Sequence, residues 1–450
     1  MSDPEVGAVV AGAGIAGLAA ALQLQFTGKD VLVIDPSDRP GGVMRTDHVS
    51  GYVIERGPNT THIKAPMLEF VRTHGAEKSL LAAQPASKKR WIFDAGGLQP
   101  VPMSPVALAR TPLMSARGKL RLFAEPFIRR SNGGDETVAE FFGRRFGKQV
   151  VEGLVGPFLT GVYAGDENLL GAEAVFPSLV EMERRSGSVV LGALGMMFRK
   201  RARGLRGSHS AAEGLGPFAR TLAERLVEPV ALENRVTGVR RDGDRWLVLT
   251  SGPAGERRVR AKRVVLAAPA DAAAEILRGV DSELADELAA IEYAPIVGVP
   301  LGVDPNAVRE KIDGFGFLVP RRANIKLLGC LYMSQLFPSR APAGRELLQC
   351  IAGGMRWPEA FELSDEEVVA QVCADLDQIL GLAEEPRVLA VTRWRQAIPQ
   401  PGRDHVARIA RIRKRLGEFP GIALAGAYLG GISVSDSCES GLNAAREVSL

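Results

Sequence analysis

The strongest constraint on this chain is a glycine spacing near its start, Gly12-Ala13-Gly14-Ile15-Ala16-Gly17, set between an apolar run at 6–11 and an Ala/Leu-rich stretch at 16–27. Each glycine has its own mechanical task. Gly12 permits a tight turn out of a strand, Gly14 lets the backbone approach a pyrophosphate, and Gly17 lets the following helix close on the sheet. That helix would offer free N–H groups and the positive end of a dipole to phosphate. Gly28 falls where it needs a C-cap. A second apolar run, Val31-Leu32-Val33-Ile34, ends in Asp35. A carboxylate there accepts from both ribose hydroxyls and repels a 2′-phosphate. The pattern predicts a βαβ dinucleotide site and disfavours NADP.

With 450 residues the chain has room for two or three domains and a large core. Its apolar share of 46% and charged share of 24% are those of a folded soluble protein. A net charge of +4 names no partner by itself. Cys330, Cys350, Cys373 and Cys438 are scattered without a C-x-x-C pair, so neither structural zinc nor a disulfide framework is expected. The histidines are scattered too, so the expected metal set is none. The acidic start, Met1 to Glu5, does not read as a secretory signal, and no apolar run reaches the roughly 18 residues of a membrane span. The expected location is therefore the cytoplasm.

Further segments decide between nicotinamide and flavin. After Asp35 come Pro36, Arg39, Gly41, Gly42 and Val43, a second close backbone approach with an arginine able to reach phosphates. Gly57, Pro58, Asn59 and Thr60 end an alternating strand in a rigid turn. Near the C-terminus a buried strand at 422–426 leads to Ala427, Gly430, Gly431, Ile432, Ser433 and Val434, with a helix predicted to open at Ser440. A helix N-terminus there would stabilise negative charge on a reduced flavin ring. Together these segments resemble the FAD signature of the flavin amine oxidase superfamily. The resemblance implies FAD contacts at Gly12, Ala13, Gly14, Ile15, Ala16, Gly17, Asp35, Pro36, Arg39, Gly42, Val43, Gly57, Pro58, Asn59, Thr60, Val236, Ala427, Ile432, Ser433 and Val434. Asp35 stands where that superfamily usually has Glu, which keeps the carboxylate. No Cys lies between Val391 and Pro401, where covalently flavinylated members tend to carry one, so the FAD is expected to be non-covalent.

Because cofactor motifs sit at both ends, the FAD domain must be discontinuous. The expected fold is α/β (α+β overall). Residues 1–80, 210–285 and 403–450 form a Rossmann-like FAD unit, and residues 81–100 and 286–402 a mixed-sheet substrate unit. Residues 101–209 form a helical insertion. In the FAD unit, residues 230–268 read as a meander of short strands, at 236–239, 246–250, 258–260 and 264–268. The insertion is basic: between Ala107 and Arg130 six basic residues (Arg110, Arg117, Lys119, Arg121, Arg129, Arg130) meet one acidic one, Glu125, among apolar neighbours. A second run, Phe198 to Arg206, adds five positive charges. Such a surface either is a solvated face or lies on anionic lipid. No nucleic-acid motif accompanies it.

No Ser/His/Asp or Cys/His set and no carboxylate pair can be assembled, so no side chain is predicted to be catalytic. A flavin takes a hydride unaided, with the protein supplying orientation. Gly156-Pro157-Phe158-Leu159-Thr160-Gly161-Val162-Tyr163-Ala164-Gly165-Asp166 resembles the signature of the protoporphyrinogen oxidase family. So do Ala174 to Leu179, Gly314 to Pro320, Arg393 to Gln400, and Asp436 with Glu439-Ser440-Gly441. The resemblance implies that Arg90 binds a tetrapyrrole propionate, that Phe315 and Leu318 sandwich a pyrrole ring, and that the Gly161 carbonyl faces the pyrrole N–H groups. It implies a porphyrinogen substrate and molecular oxygen as acceptor. It also implies attachment at the cytoplasmic face of a membrane, and a homodimer is open. Coproporphyrinogen III is the alternative substrate. An amine oxidase or desaturase, or a non-catalytic flavin and porphyrin carrier, stands further off. Ser435, Ser437, Pro401 and Val43 depart from residues frequent in the family.

Overall fold

The computed structural model describes residues 3–131, 134–196 and 204–449. Residues 198–203 of the second basic run lie outside these.

The strand Glu5–Ala11 runs parallel to Val31–Ile34 on one side and to Gly255–Leu266 on the other. Its side chains alternate between the two faces of the sheet. Ala8 and Val10 enter a core with the helices Ile15–Phe26, Leu215–Ala223 and Val434–Glu447. Val9 and Ala11 enter another with Ala270–Leu277, Ser282–Ala289 and His405–Leu416. A sheet covered on both faces is what a parallel ladder requires.

Gly255–Leu266 departs from the expected meander. The segments 258–260 and 264–266 are not separate strands but belong to one strand of 12 residues, which ends at Leu266, before Ala267 and Ala268. Its first half pairs antiparallel with Arg245–Gly252, which pairs with Arg235–Asp242. Its second half pairs parallel with Ile422–Leu424. The arginines and lysine of this segment alternate with buried Val259 and Ala261, and no Gly or Pro interrupts the ladder, so it runs on as one strand.

The second large sheet has eight strands, with Tyr293–Val303 and then Glu346–Gly353 toward one side and Trp91–Asp94 and Gly97–Pro100 at the opposite edge. On one face Val297, Val299, Phe317, Leu348 and Cys350 pack under the helix Asp365–Leu380. The opposite face carries Leu331, Leu347 and Phe315 near one end and Ile296, Ile351 and Leu328 near the other, and it turns toward the dinucleotide unit.

Between the units sits a helical insertion around Phe141, Phe142, Phe146, Val151 and Leu159. Its core contains a fully buried ion pair, Arg145 with Glu125, flanked by Arg144 bridging Glu136 and Glu183. Burial alone would raise the pKa of Glu125, but Ser188, the Val189 N–H and Arg145 outweigh it and hold the carboxyl below its ordinary value. At the surface of this unit Phe127 is 89% exposed, Leu120 71% and Phe123 62%. Among the described residues no helix is long and apolar enough to cross a membrane.

Candidate flavin and substrate site

The glycine turn is built as the spacing demands. Gly12 has a φ of +109°, and a side chain there would meet the Ala267 carbonyl at 2.5 Å. A Cβ on Gly17 would lie 1.8 Å from the Gly12 carbonyl oxygen. At Gly14 a Cβ would meet nothing within 4 Å, so it would project into the open cradle of the turn. The second glycine pair closes on the first: the Gly41 N–H donates to the Ala13 carbonyl at 2.8 Å, and a Cβ on Gly42 would sit 3.2 Å from Gly14 Cα. Ile15 and Ala16 begin the helix and are buried.

Asp35, 5% exposed, accepts from the Ala13 N–H at 2.6 Å and the Ser37 N–H at 2.8 Å. It ties the turn to the end of the second strand. Arg39 stands beside it, its Nη1 3.4 Å from the Met44 carbonyl, and burial lowers its pKa. Exposed Pro36 and Val43 flank this wall. Val236 is a core residue packed with Ile34, while neighbouring Asn234 donates its N–H to the Asp35 carbonyl at 3.0 Å.

Gly57 is pressed on the Val43 backbone, where a Cβ would fall 1.9 Å from the carbonyl oxygen. Pro58, Asn59 and Thr60 continue the turn, and Asn59 Oδ1 is buried without a partner among the described residues. The indole of Trp394 donates to the Arg56 carbonyl at 2.6 Å, bridging from the eight-stranded sheet.

The C-terminal segment corrects the sequence reading. The last helix starts at Val434, not near Ser440. Ser433 is its N-cap and Asp436 completes a capping box, a Ser-x-x-Asp signal hidden behind the glycines. The N-terminus of this helix therefore coincides with Ile432, Ser433 and Val434. Ser440 instead accepts from the Gly426 N–H at 3.0 Å, holding the turn that begins at Ala427.

The four residues expected to hold substrate form two contacting pairs. The Arg90 guanidinium lies 4.4 Å from the Phe315 ring centroid. Burial lowers its pKa, and among the described residues no carboxylate lies within ion-pair distance. Gly161 abuts Leu318, whose Cδ2 would be 2.2 Å from a Cβ there. Gly161 lies in the last turn of the helix Gly156–Tyr163, and its carbonyl has no partner among the described residues. This helix reaches the C-terminal segment: Tyr163 is pushed up to about 12 by burial and then by the charge of Asp436.

Sequence reasoning missed the residues that frame these pairs. Lys89 meets Asp313 at 2.6 Å and Trp91 Nε1 donates to the Asp313 carbonyl at 2.6 Å, which fixes the backbone on both sides of Arg90. Gln400 Nε2 donates to the Tyr163 carbonyl at 2.8 Å. No local pattern announces them, because each is a contact between distant segments.

The cradle at Gly14, the unpartnered Asn59 oxygen and the helix N-terminus at Ser433 fit the phosphates and ring of a flavin. Comparison with known proteins agrees. The family described as flavin containing amine oxidoreductase matches residues 15–449. A chloroplastic protoporphyrinogen oxidase of Oryza sativa subsp. japonica is 33% identical over 98% of this chain and 88% of its own length. A coproporphyrinogen III oxidase of Bacillus subtilis is 29% identical over 98% of this chain and 97% of its own. A crystal structure of a candidate protoporphyrinogen oxidase from Exiguobacterium sp. 255-15 superposes with a TM-score of 0.83 at 25% identity, covering 100% of this chain and 99% of that one. The chain belongs to the flavin containing amine oxidoreductase family, alongside the protoporphyrinogen oxidases, and is a flavin-dependent oxidoreductase.

Proposed function

We propose that this protein binds FAD non-covalently and oxidises protoporphyrinogen IX to protoporphyrin IX, with molecular oxygen as the final acceptor and hydrogen peroxide as co-product. The observation that carries this reading is the pairing of an unneutralised guanidinium, Arg90, with an aromatic wall, Phe315, on the sheet face beside Leu318 and Gly161. A flat, apolar macrocycle with a carboxylate edge matches that surface.

Gly12, Gly14 and Gly17 would admit the pyrophosphate, Asp35 the ribose, and the N-terminus at Ser433 the ring. When bound, the flavin supplies a hydride acceptor, and oxygen reoxidises it. Arg90 orients the substrate through its carboxylate. Phe315 and Leu318 hold one pyrrole edge against the helix at Gly161. Loss of hydride from a methylene bridge leaves positive charge on the macrocycle. The free Gly161 carbonyl stands at the negative end of its helix and stabilises that charge. A pyrrole proton then leaves to solvent. Three such cycles remove six hydrogens and consume three molecules of oxygen.

The test is anaerobic mixing of the purified flavoprotein with protoporphyrinogen IX. Bleaching of the flavin absorbance, followed by peroxide when air is admitted, supports the reading; a flavin that stays oxidised overturns it. Coproporphyrinogen III is a second reading, favoured by the Bacillus subtilis relative and tested by comparing kcat/KM on the two substrates. We also propose that the helical insertion rests on the cytoplasmic face of a membrane. Phe127, Phe123 and Leu120 are exposed on the same segment as exposed Arg117 and Arg129, which is the composition of an interfacial anchor.

A further inference from the structure

A pair of opposite charges lies sealed between the dinucleotide unit and the eight-stranded sheet. Glu55 ends the strand Tyr52–Glu55, two residues ahead of Gly57. Arg340 ends the short turn Pro338–Arg340, which follows the sheet strand Gly329–Tyr332 and the helix Met333–Leu336. Their exposures are 2% and 0%. Arg340 Nη2 donates to Glu55 Oε1 at 3.3 Å, to Ser210 Oγ at 3.0 Å and to the Ala211 carbonyl at 2.8 Å. Glu55 also accepts from Thr46 Oγ1 at 2.7 Å and the Leu215 N–H at 3.0 Å. An apolar collar surrounds the pair: Tyr52 and Ile54 from one unit meet Met333, Leu336, Phe337 and Leu347 from the other.

Stability alone does not account for charges in this place. Well-packed apolar residues of similar volume serve a sealed interface at least as well, because burying two ions carries a desolvation cost. Nε and Nη1 of Arg340 are buried without partners, which adds to that cost. What the pair contributes is direction, because one guanidinium nitrogen, Nη2, is held by three oxygens from two separate segments. Apolar surfaces slide over one another; a guanidinium held by a carboxylate, a hydroxyl and a carbonyl does not.

We propose that Glu55 and Arg340 are a positioning pair that holds the substrate sheet, with Arg90 and Phe315, at one angle against the flavin turn at 57–60. The inference rests on the reading above, in which substrate lies on that sheet face and is oxidised beside that turn. Phe315 packs against the same collar, so a tilt at the collar moves the wall of the cleft. Misplacement by about 1 Å costs on the order of a hundredfold in rate.

The experiment compares R340K, R340M and the apolar double variant E55M/R340M in the full-length flavoprotein. Anaerobic stopped-flow on protoporphyrinogen IX gives the flavin reduction rate and the substrate Kd separately. In parallel, a C373S background labelled at E224C and E366C, exposed positions on the two units, reports their spacing by pulsed dipolar spectroscopy. The double variant is expected to keep the wild-type unfolding temperature and substrate Kd, to lose about tenfold or more in reduction rate, and to broaden the distance distribution. R340K is expected to retain a larger part of the rate than R340M. A double variant that reduces at the wild-type rate, or single variants that fail to fold while the double variant is fully active, overturns the proposal. If the double variant does not fold, an R340K spacing as narrow as wild type with a hundredfold slower rate overturns it as well. The spacing measurement needs no substrate, so a wild-type protein inert to protoporphyrinogen would refute the function and leave this inference to be judged on the distances.

Discussion

Gly14→Ala and Gly17→Ala are the same chemical change three residues apart, and the structure gives them opposite outcomes. At Gly17 the added carbon would lie 1.8 Å from the Gly12 carbonyl oxygen, 2.9 Å from its carbon and 3.2 Å from Ala267 Cβ. The first two are backbone atoms and cannot rotate away. Reaching ordinary contact requires the helix Ile15–Phe26 to withdraw by about 1.5 Å, and overpacking of this kind costs about 1–3 kcal/mol. Nine residues of that helix are buried, including Leu18 and Leu22, so the shift loosens a whole face of the core. At Gly14 the added carbon meets nothing within 4 Å, and φ of −67° suits alanine. The apoprotein should be unchanged or stabilised by about 0.4–1 kcal/mol. The new methyl instead fills the space through which the backbone reaches phosphate, and losing one hydrogen bond to a charged group costs about 1.5–3 kcal/mol. The expected result is a ten- to hundredfold weaker flavin affinity for Gly14→Ala with an intact apoprotein melt, and a lowered apoprotein melt for Gly17→Ala. The assay is thermal unfolding of both apoproteins and flavin titration by fluorescence quenching. Equal apoprotein melts, or a Gly14→Ala protein that binds flavin as wild type does, would refute the reasoning.

Three further outcomes follow. Arg90→Ala should raise the substrate Kd roughly ten- to hundredfold, from the loss of a charge-assisted contact, and should lower the flavin reduction rate far less; stopped-flow titration reads both. Glu125 and Glu183 have folded-state pKa values held below the ordinary 4.5. The stability they contribute is therefore present above about pH 4.5 and is lost as pH falls through their folded values, so hydrogen-exchange protection factors, referred to intrinsic exchange at each pH, should fall on acidification in the helices Val138–Phe146 and Pro177–Ser186 before they fall in the strand Glu5–Ala11. Phe123→Glu with Phe127→Glu should abolish flotation with anionic vesicles while leaving the flavin spectrum unchanged; wild-type protein that does not float would remove the membrane proposal.

What could be read from the sequence was what short segments dictate. The βαβ turn and the alternating strand that ends before Gly57 are local patterns, and they lie where glycine spacing and periodicity put them. The start of the last helix was misread because Gly430 and Gly431 suggest a loop, while the Ser433/Asp436 box that opens the helix is brief. Gly255–Leu266 is one strand rather than the two short ones expected, because its basic residues alternate with buried Val259 and Ala261 and keep the ladder continuous. Arg90 and Phe315 were found only through family resemblance, and nothing local brings them together. They meet because Trp91–Asp94 and Gly316–Leu318 pair in parallel, and parallel partners always come from distant segments. The Glu55–Arg340 pair was invisible for the same reason.

The strand Gly255–Leu266 lends half of one edge to a hairpin made just before it and keeps the other half for Ile422–Leu424. The helix that follows then packs so closely on the first one that Gly441 has no room for a Cβ against the Ala16 carbonyl. Vectorial synthesis thus leaves the nucleotide cradle without its second wall until residues 422–447 have emerged. The nascent protein waits with an unpaired ladder edge and an uncovered Ala/Leu helix, both aggregation hazards. Flavin capture becomes a late event in biogenesis, and a shortage of cofactor should appear as lost protein before it appears as inactive enzyme.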